Sequence, residues 1–155
     1  MTGSALPHTA LPHPSLQPLP LPDVTITDTF WSARRETVRT STLPTQLHHL
    51  KTHGQLEALR LQWRAGDPDE PHIFWDSDVA KWIEAASYSL AAHPDPELEA
   101  EVDAAISLLA GAQQPDGYLN TYFSVVAPGQ RFTDLRDAHE LYCAGHLIEA
   151  GVAHF

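Results

Sequence analysis

Four residues, His93-Pro94-Asp95-Pro96, limit how this chain folds more than any others. The residue before a proline avoids the α region, so a helix arriving at His93 ends there. Asp95 and Pro96 then give the opposite signal. A carboxylate accepts bonds from first-turn N–H groups, and a proline at the first helical position gives up a donor that had no partner anyway. Glu97 and Glu99 suit the positive end of a helix starting at this point. On both sides the apolar residues repeat with helical spacing. Val79, Trp82, Ile83, Ala86 and Leu90 form a stripe upstream, behind an Asp76-Ser77 pair suited to capping. Leu98, Val102, Ala105, Ile106 and Leu109 form another downstream, closed by a Pro115-Asp116-Gly117 turn. Two consecutive helices are expected.

The same pattern extends outward. Asp28 is placed to cap a helix in which Phe30, Trp31, Val38 and Leu43 share a face, with an interruption near Pro44 and a stop at Gly54. Leu56, Leu59 and Trp63 give a further short helix before the turn-rich stretch 65–68. Asp134 or Asp137 opens a last helix, with Leu141, Ile148 and Val152 along one side and no stop signal before Phe155. Val24-Thr25-Ile26-Thr27 alternates as a short strand, and 118–123 reads as a strand or an extended loop. The fold class is mainly α, of a kind that suits an α/α toroid, bundle or solenoid.

Residues 1–22 stand apart. They hold six of the 13 prolines and no charged side chain, which predicts a disordered Pro-rich leader ahead of a folded part over 23–155. The leader has neither the basic start nor the unbroken apolar run of an export signal. No stretch approaches the roughly 20 apolar residues of a membrane span, so a cytoplasmic protein is expected. Net charge is −11, from 20 acidic and 9 basic residues, which disfavours nucleic acid and anionic membrane as partners. The single cysteine, Cys143, excludes an internal disulfide and a multi-cysteine metal site.

Three clusters carry residue types with chemical potential. In 74–86, Asp76 and Asp78 suit either sugar hydroxyls and metals or the capping of a helix, and Trp75 suits ring stacking. In 112–122, Asp116-Gly117 is explained by turn geometry, while Tyr118 and Asn120 offer an aromatic face and a bidentate amide of the kind carbohydrates use. In 139–146, His139, Tyr142, Cys143 and His146 fall on one helical face. The zinc-protease spacing fails there because position 143 is cysteine. A zinc site, a Cys–His pair and a simply buried Cys143 all remain open, and Glu149 is spaced to orient His146.

These clusters in this order, with Val24-Thr25-Ile26-Thr27-Asp28-Thr29-Phe30-Trp31 ahead of them and the stretch 139–155 behind, resemble glycoside hydrolase family 127, the beta-L-arabinofuranosidase family. The resemblance implies an (α/α)6 barrel catalytic domain with attached β-sandwich domains, of which 23–155 is the N-terminal part. It implies retaining hydrolysis of terminal beta-L-arabinofuranosides or related sugars, with a zinc-bound cysteine as nucleophile and a glutamate as acid/base. Those residues come late in the family's catalytic domain and have no counterparts here, so no catalytic residue, metal ligand or bound cofactor is expected in this chain. What carries over is substrate binding: His139 matches a sugar-contacting histidine, and Asp76, Asp78 and Tyr118 are placed near the pocket.

On that view the chain is a truncated, incomplete barrel, inactive alone, whose partners are a carbohydrate and the remainder of the barrel. Part of a barrel leaves stripes such as Trp82, Ile83, Leu109 and Ile148 in water. A few hundred Å² of lost apolar burial amounts to several kcal/mol at about 25 cal/mol per Å², comparable with the stability of a domain. The alternative is a small helical carbohydrate-binding or protein-interaction module without catalysis.

Overall fold

The computed structural model describes residues 17–20 and 23–155. The expected leader, 1–22, lies outside the described residues except for 17–20. The first helix, α1 (Thr29–Thr37), is capped as its sequence predicts, the Asp28 carboxylate accepting the Trp31 N–H at 2.7 Å. It buries nothing. Phe30 and Trp31 pack edge-on to each other in the open, with the Arg34 guanidinium over the Phe30 ring.

The interruption expected near Pro44 is a wide turn, Val38–Thr42, in which the Leu43 N–H reaches back five residues to the Val38 carbonyl. A proline ring clashes with the carbonyl four residues earlier, and a locally widened helix relieves that clash. Helix α2 (Leu43–Thr52) follows, burying Leu43 and Leu50, and ends at Gly54. That glycine holds φ at +85°, the left-handed conformation that suits a residue just past a helix end. A single turn, α3 (Gln55–Ala58), completes this side with buried Leu56 and Leu59.

Helix α4 (Trp75–Ala92) is the hub, packed against α2, α3 and two later helices, Pro96–Ala112 and Glu140–His154. Val79, Trp82, Ile83 and Ala86 are buried as their spacing predicts. Trp82 Nε1 also donates to the Leu43 carbonyl at 3.1 Å, fixing α4 to the start of α2. After His93-Pro94, α5 (Pro96–Ala112) starts where expected, with Asp95 Oδ1 accepting the N–H groups of Glu97 and Leu98. Val102, Ala105 and Leu109 pack into the same core. Trp82, Ile83 and Leu109 are therefore not stranded in water, because the neighbouring helices already enclose them.

Three further expectations meet the structure as follows. Val24–Thr27 forms no strand, and none exists among the described residues. A strand is stable only when its N–H and C=O groups meet those of a neighbour, and this segment finds just a Ser32 hydroxyl on the Ile26 carbonyl. Of the two alternatives for 118–123, the loop holds over 118–121, and a short helix, α6 (Tyr122–Val125), takes the rest. The last helix, α7 (Glu140–His154), is opened by neither Asp134 nor Asp137. Asp134 Oδ1 instead accepts the Arg136 and Asp137 N–H groups in a local turn, and Asp137 pairs with Arg136. The first residue before α7 is His139, in left-handed backbone at φ +57°.

Helix α7 packs on α4 through Cys143 and Ala150, both buried, with Leu147 half-buried beside them. Its larger residues face outward: Ile148 is 67 % exposed and Val152 74 %.

Candidate functional site

The start of α4, the 113–121 loop and the start of α7 converge, and the three clusters singled out in the sequence meet there. Asp76 is buried, yet it does not cap α4. Its Oδ2 accepts the Thr121 N–H at 2.7 Å, while Oδ1 has no partner. Burial pushes its carboxyl above the usual carboxylate range, and the Thr121 bond only partly opposes that. Ser77 does not cap either; its hydroxyl donates to the Phe74 carbonyl at 2.7 Å.

Cys143 lies beside Ser77 with its thiol donating to the Ile73 carbonyl at 3.2 Å. Burial, with the nearby Asp76 charge, pushes that thiol up to about 11. A nucleophile or metal ligand must be a thiolate, so Cys143 here is a core residue.

Asp78, two residues after Asp76, faces another way. It opens onto a pocket of ≈260 Å³ shared with Gln46, His49, Gln55 and Lys81. Lys81 reaches from there to α7, donating to the Tyr142 hydroxyl at 2.7 Å. His139 is half-buried against Phe74, with ring centroids 4.6 Å apart, and Tyr142 meets both rings edge-on. One wall thus carries Asp78, Lys81, Tyr142 and His139. Asp76 is thus turned into the protein, onto the Thr121 N–H, while Asp78 is open to the pocket.

Tyr118 is engaged on every side. Its hydroxyl donates to the Glu140 carboxylate, the Arg131 guanidinium sits 4.0 Å over its ring, and Phe132 meets it edge-on. Burial and the Glu140 carboxylate together push its hydroxyl well above the ordinary tyrosine value. The Trp75 ring lies over Gly54, where an added Cβ would meet it at 3.7 Å.

Sequence reasoning assigned no role to Lys81 or Glu140. The available signal for Lys81 was its place one turn after Asp78; for Glu140 there was none beyond its place beside His139. Among the described residues, Glu84, His146 and Glu149 bring potential ligand atoms within 4.8 Å of one another. His146 Nδ1 lies 2.9 Å from Glu149 Oε2, an ion pair whenever the imidazole is protonated.

The family model described as beta-L-arabinofuranosidase, GH127 catalytic domain, matches residues 23–155. The chain belongs to the GH127 family. A non-reducing end beta-L-arabinofuranosidase of Bifidobacterium longum subsp. longum is 40 % identical over 159 residues, covering 85 % of this chain and 24 % of that protein. A GH127 beta-L-arabinofuranosidase from Geobacillus stearothermophilus T6 superposes with a TM-score of 0.78 at 46 % identity, over 84 % of this chain and 22 % of its own. The GH127 beta-arabinofuranosidase BT3674 does so with a TM-score of 0.78 at 35 % identity, over 88 % and 23 %. GH127 enzymes fold as an (α/α)6 barrel, and the seven helices described here correspond to part of one. The chain spans less than a quarter of the length of these GH127 relatives.

Proposed function

We propose that this chain supplies part of the sugar-binding wall of a beta-L-arabinofuranosidase-type glycosidase. The observation that carries the reading is the wall itself. A half-buried imidazole at His139 sits against an aromatic ring, next to a lysine–tyrosine pair that continues into the Asp78 pocket. Aromatic faces beside fixed donors and acceptors are how a protein holds a sugar ring and its hydroxyls. His139 and Asp78 are the proposed contacts; Asp76 and Tyr118, whose polar atoms are turned inward, shape the wall from behind. The proposed reaction of the whole assembly is retaining hydrolysis of terminal beta-L-arabinofuranosides or related sugars, in the cytoplasm. None of the described helices is long and apolar enough to cross a membrane.

We further propose that the chain is inactive alone. Zinc with a cysteine nucleophile is implied by the family resemblance, and the residues here do not fit it. The sole cysteine is a protonated core thiol bonded to a backbone carbonyl. Incubation of the 155-residue chain with an aryl beta-L-arabinofuranoside is expected to release no aglycone. Saturable release abolished by His139→Ala would overturn the inactivity. Titration with L-arabinose followed by histidine NMR is expected to move the His139 resonance. Its failure to move would sink the sugar wall.

A second reading, a binding or interaction module without catalysis, is favoured by one observation. Leu141, Ile148 and Val152 line the outer face of α7 in the open. The occupant we propose for that face is further helices of the barrel. Binding of a hydrophobic dye that is lost in an Ile148→Lys, Val152→Lys variant is the expected signature of an uncovered face.

A further inference from the structure

The Glu140 carboxylate is 4 % exposed and held at both oxygens. One accepts the Tyr118 hydroxyl from the 113–121 loop, the other the Phe132 N–H at 2.6 Å from the segment before α7. Neither partner is a cation, so the pairing is one of fixed geometry and not of charge neutralisation. Its backbone surroundings are equally unusual. Four non-glycine residues have positive φ among the described residues, and two of them adjoin Glu140. Phe132 (φ +57°) gives it its N–H, and His139 (φ +57°) is its covalent neighbour. Residues with a Cβ avoid that region unless the surroundings hold them there. His139 has no side-chain cap bond of its own to do so.

We propose that Glu140 is a positioning residue: its carboxylate, clamped between the Tyr118 hydroxyl and the Phe132 amide, holds His139 in left-handed backbone and so sets its imidazole against Phe74. The clamp is rigid because each part is braced. Arg131 covers the Tyr118 ring while bonding Asp116, and Phe132 closes the ring edge. That His139 then meets a sugar rests on the function proposed above; that Glu140 holds His139 does not.

Two variants of the full 155-residue chain with labelled histidine and aromatic rings test this. Glu140→Leu removes both acceptors at similar volume, leaving the Tyr118 hydroxyl and the Phe132 N–H without the carboxylate. Tyr118→Phe removes one donor and leaves the Phe132 bond. The readout is the NOE between His139 and Phe74, whose ring centroids are 4.6 Å apart. The control is the NOE between Tyr142 and His146, at 4.6 Å one turn further along α7. Loss of the first cross-peak with retention of the second, in either variant, is the expected result. Retention of the first in both variants, or joint loss of both in Tyr118→Phe, overturns the proposal. A parallel titration with L-arabinose separates the two claims. If the wild-type chain does not respond, the sugar wall fails while the NOEs still judge the clamp. If it responds, Glu140→Leu is expected to weaken the response several-fold.

Discussion

Helices α4 and α7 lie against each other yet meet the core in opposite ways. Helix α4 turns the large residues Val79, Trp82 and Ile83 into the core while Tyr88, on its last turns, stays exposed. Helix α7 buries Cys143 and Ala150 and leaves Leu141, Ile148 and Val152 outside. The difference teaches that bulk alone does not choose the inward face. Where two helices approach closely, small side chains fill the seam and large ones are excluded from it, since interiors are packed to near crystal density. Where a helix spans a wider gap between several others, as α4 does among α2, α3 and α5, the large residues are the ones that fill it.

The strongest way to break this comparison is Trp82→Ala. It leaves a cavity at a site 2 % exposed and removes the bond to the Leu43 carbonyl. A loss of about 3–5 kcal/mol in denaturant unfolding is expected; a loss near zero would mean α4 is not the hub. Next comes Ala150→Leu, which adds volume to the α4–α7 seam at a residue 3 % exposed. Overpacking there is expected to cost about 1–3 kcal/mol, and a neutral result would show the seam to be loose.

Asp76→Asn sharpens the comparison at the top of α4. Burial raises the Asp76 carboxyl in the folded state, so the folded chain binds that proton more tightly than the unfolded chain does. The stability it contributes is complete below the unfolded value of 3.8 and is lost as pH rises through the raised folded value. At neutral pH the ionised group is a burden. The asparagine variant is expected to melt higher than wild type at neutral pH, with the advantage gone below the unfolded carboxylate range. An advantage independent of pH would rule out this cause. The smallest effect belongs to Ile148→Lys, on a side chain 67 % exposed: within about ±0.5 kcal/mol. A penalty as large as that of Ala150→Leu would mean the outer face of α7 is covered.

What the sequence made legible was local. Asp95 and Pro96 act over three or four residues, and the helix they start lies where they place it. Asp28 and Gly54 are legible for the same reason. Asp76 has the residue type and position of a cap, but its partner is the Thr121 amide, 45 residues on, and no local rule reaches that far. Glu140 depends on Tyr118 and Phe132 in the same way. The Val24–Thr27 alternation is real, but a strand is a property of two segments, and among the described residues none pairs with this one. Trp82, Ile83 and Leu109 were expected in water because the barrel was treated as closing all at once, whereas a few neighbours already cover them. Of the candidate site, the residue types at His139 and Asp78 were readable; the direction each faces was set by the packing of α4 and α7.

The wide turn at Val38–Thr42 inserts one extra residue between α1 and α2. At 3.6 residues per turn, each residue rotates a helix by about 100°. Removing one residue from that turn would swing Phe30 and Trp31 roughly a quarter of the way around their axis while leaving α2 seated. The aim of the opening helix is thereby uncoupled from the core behind it, adjustable by insertion or deletion in a way that no substitution within α1 could match.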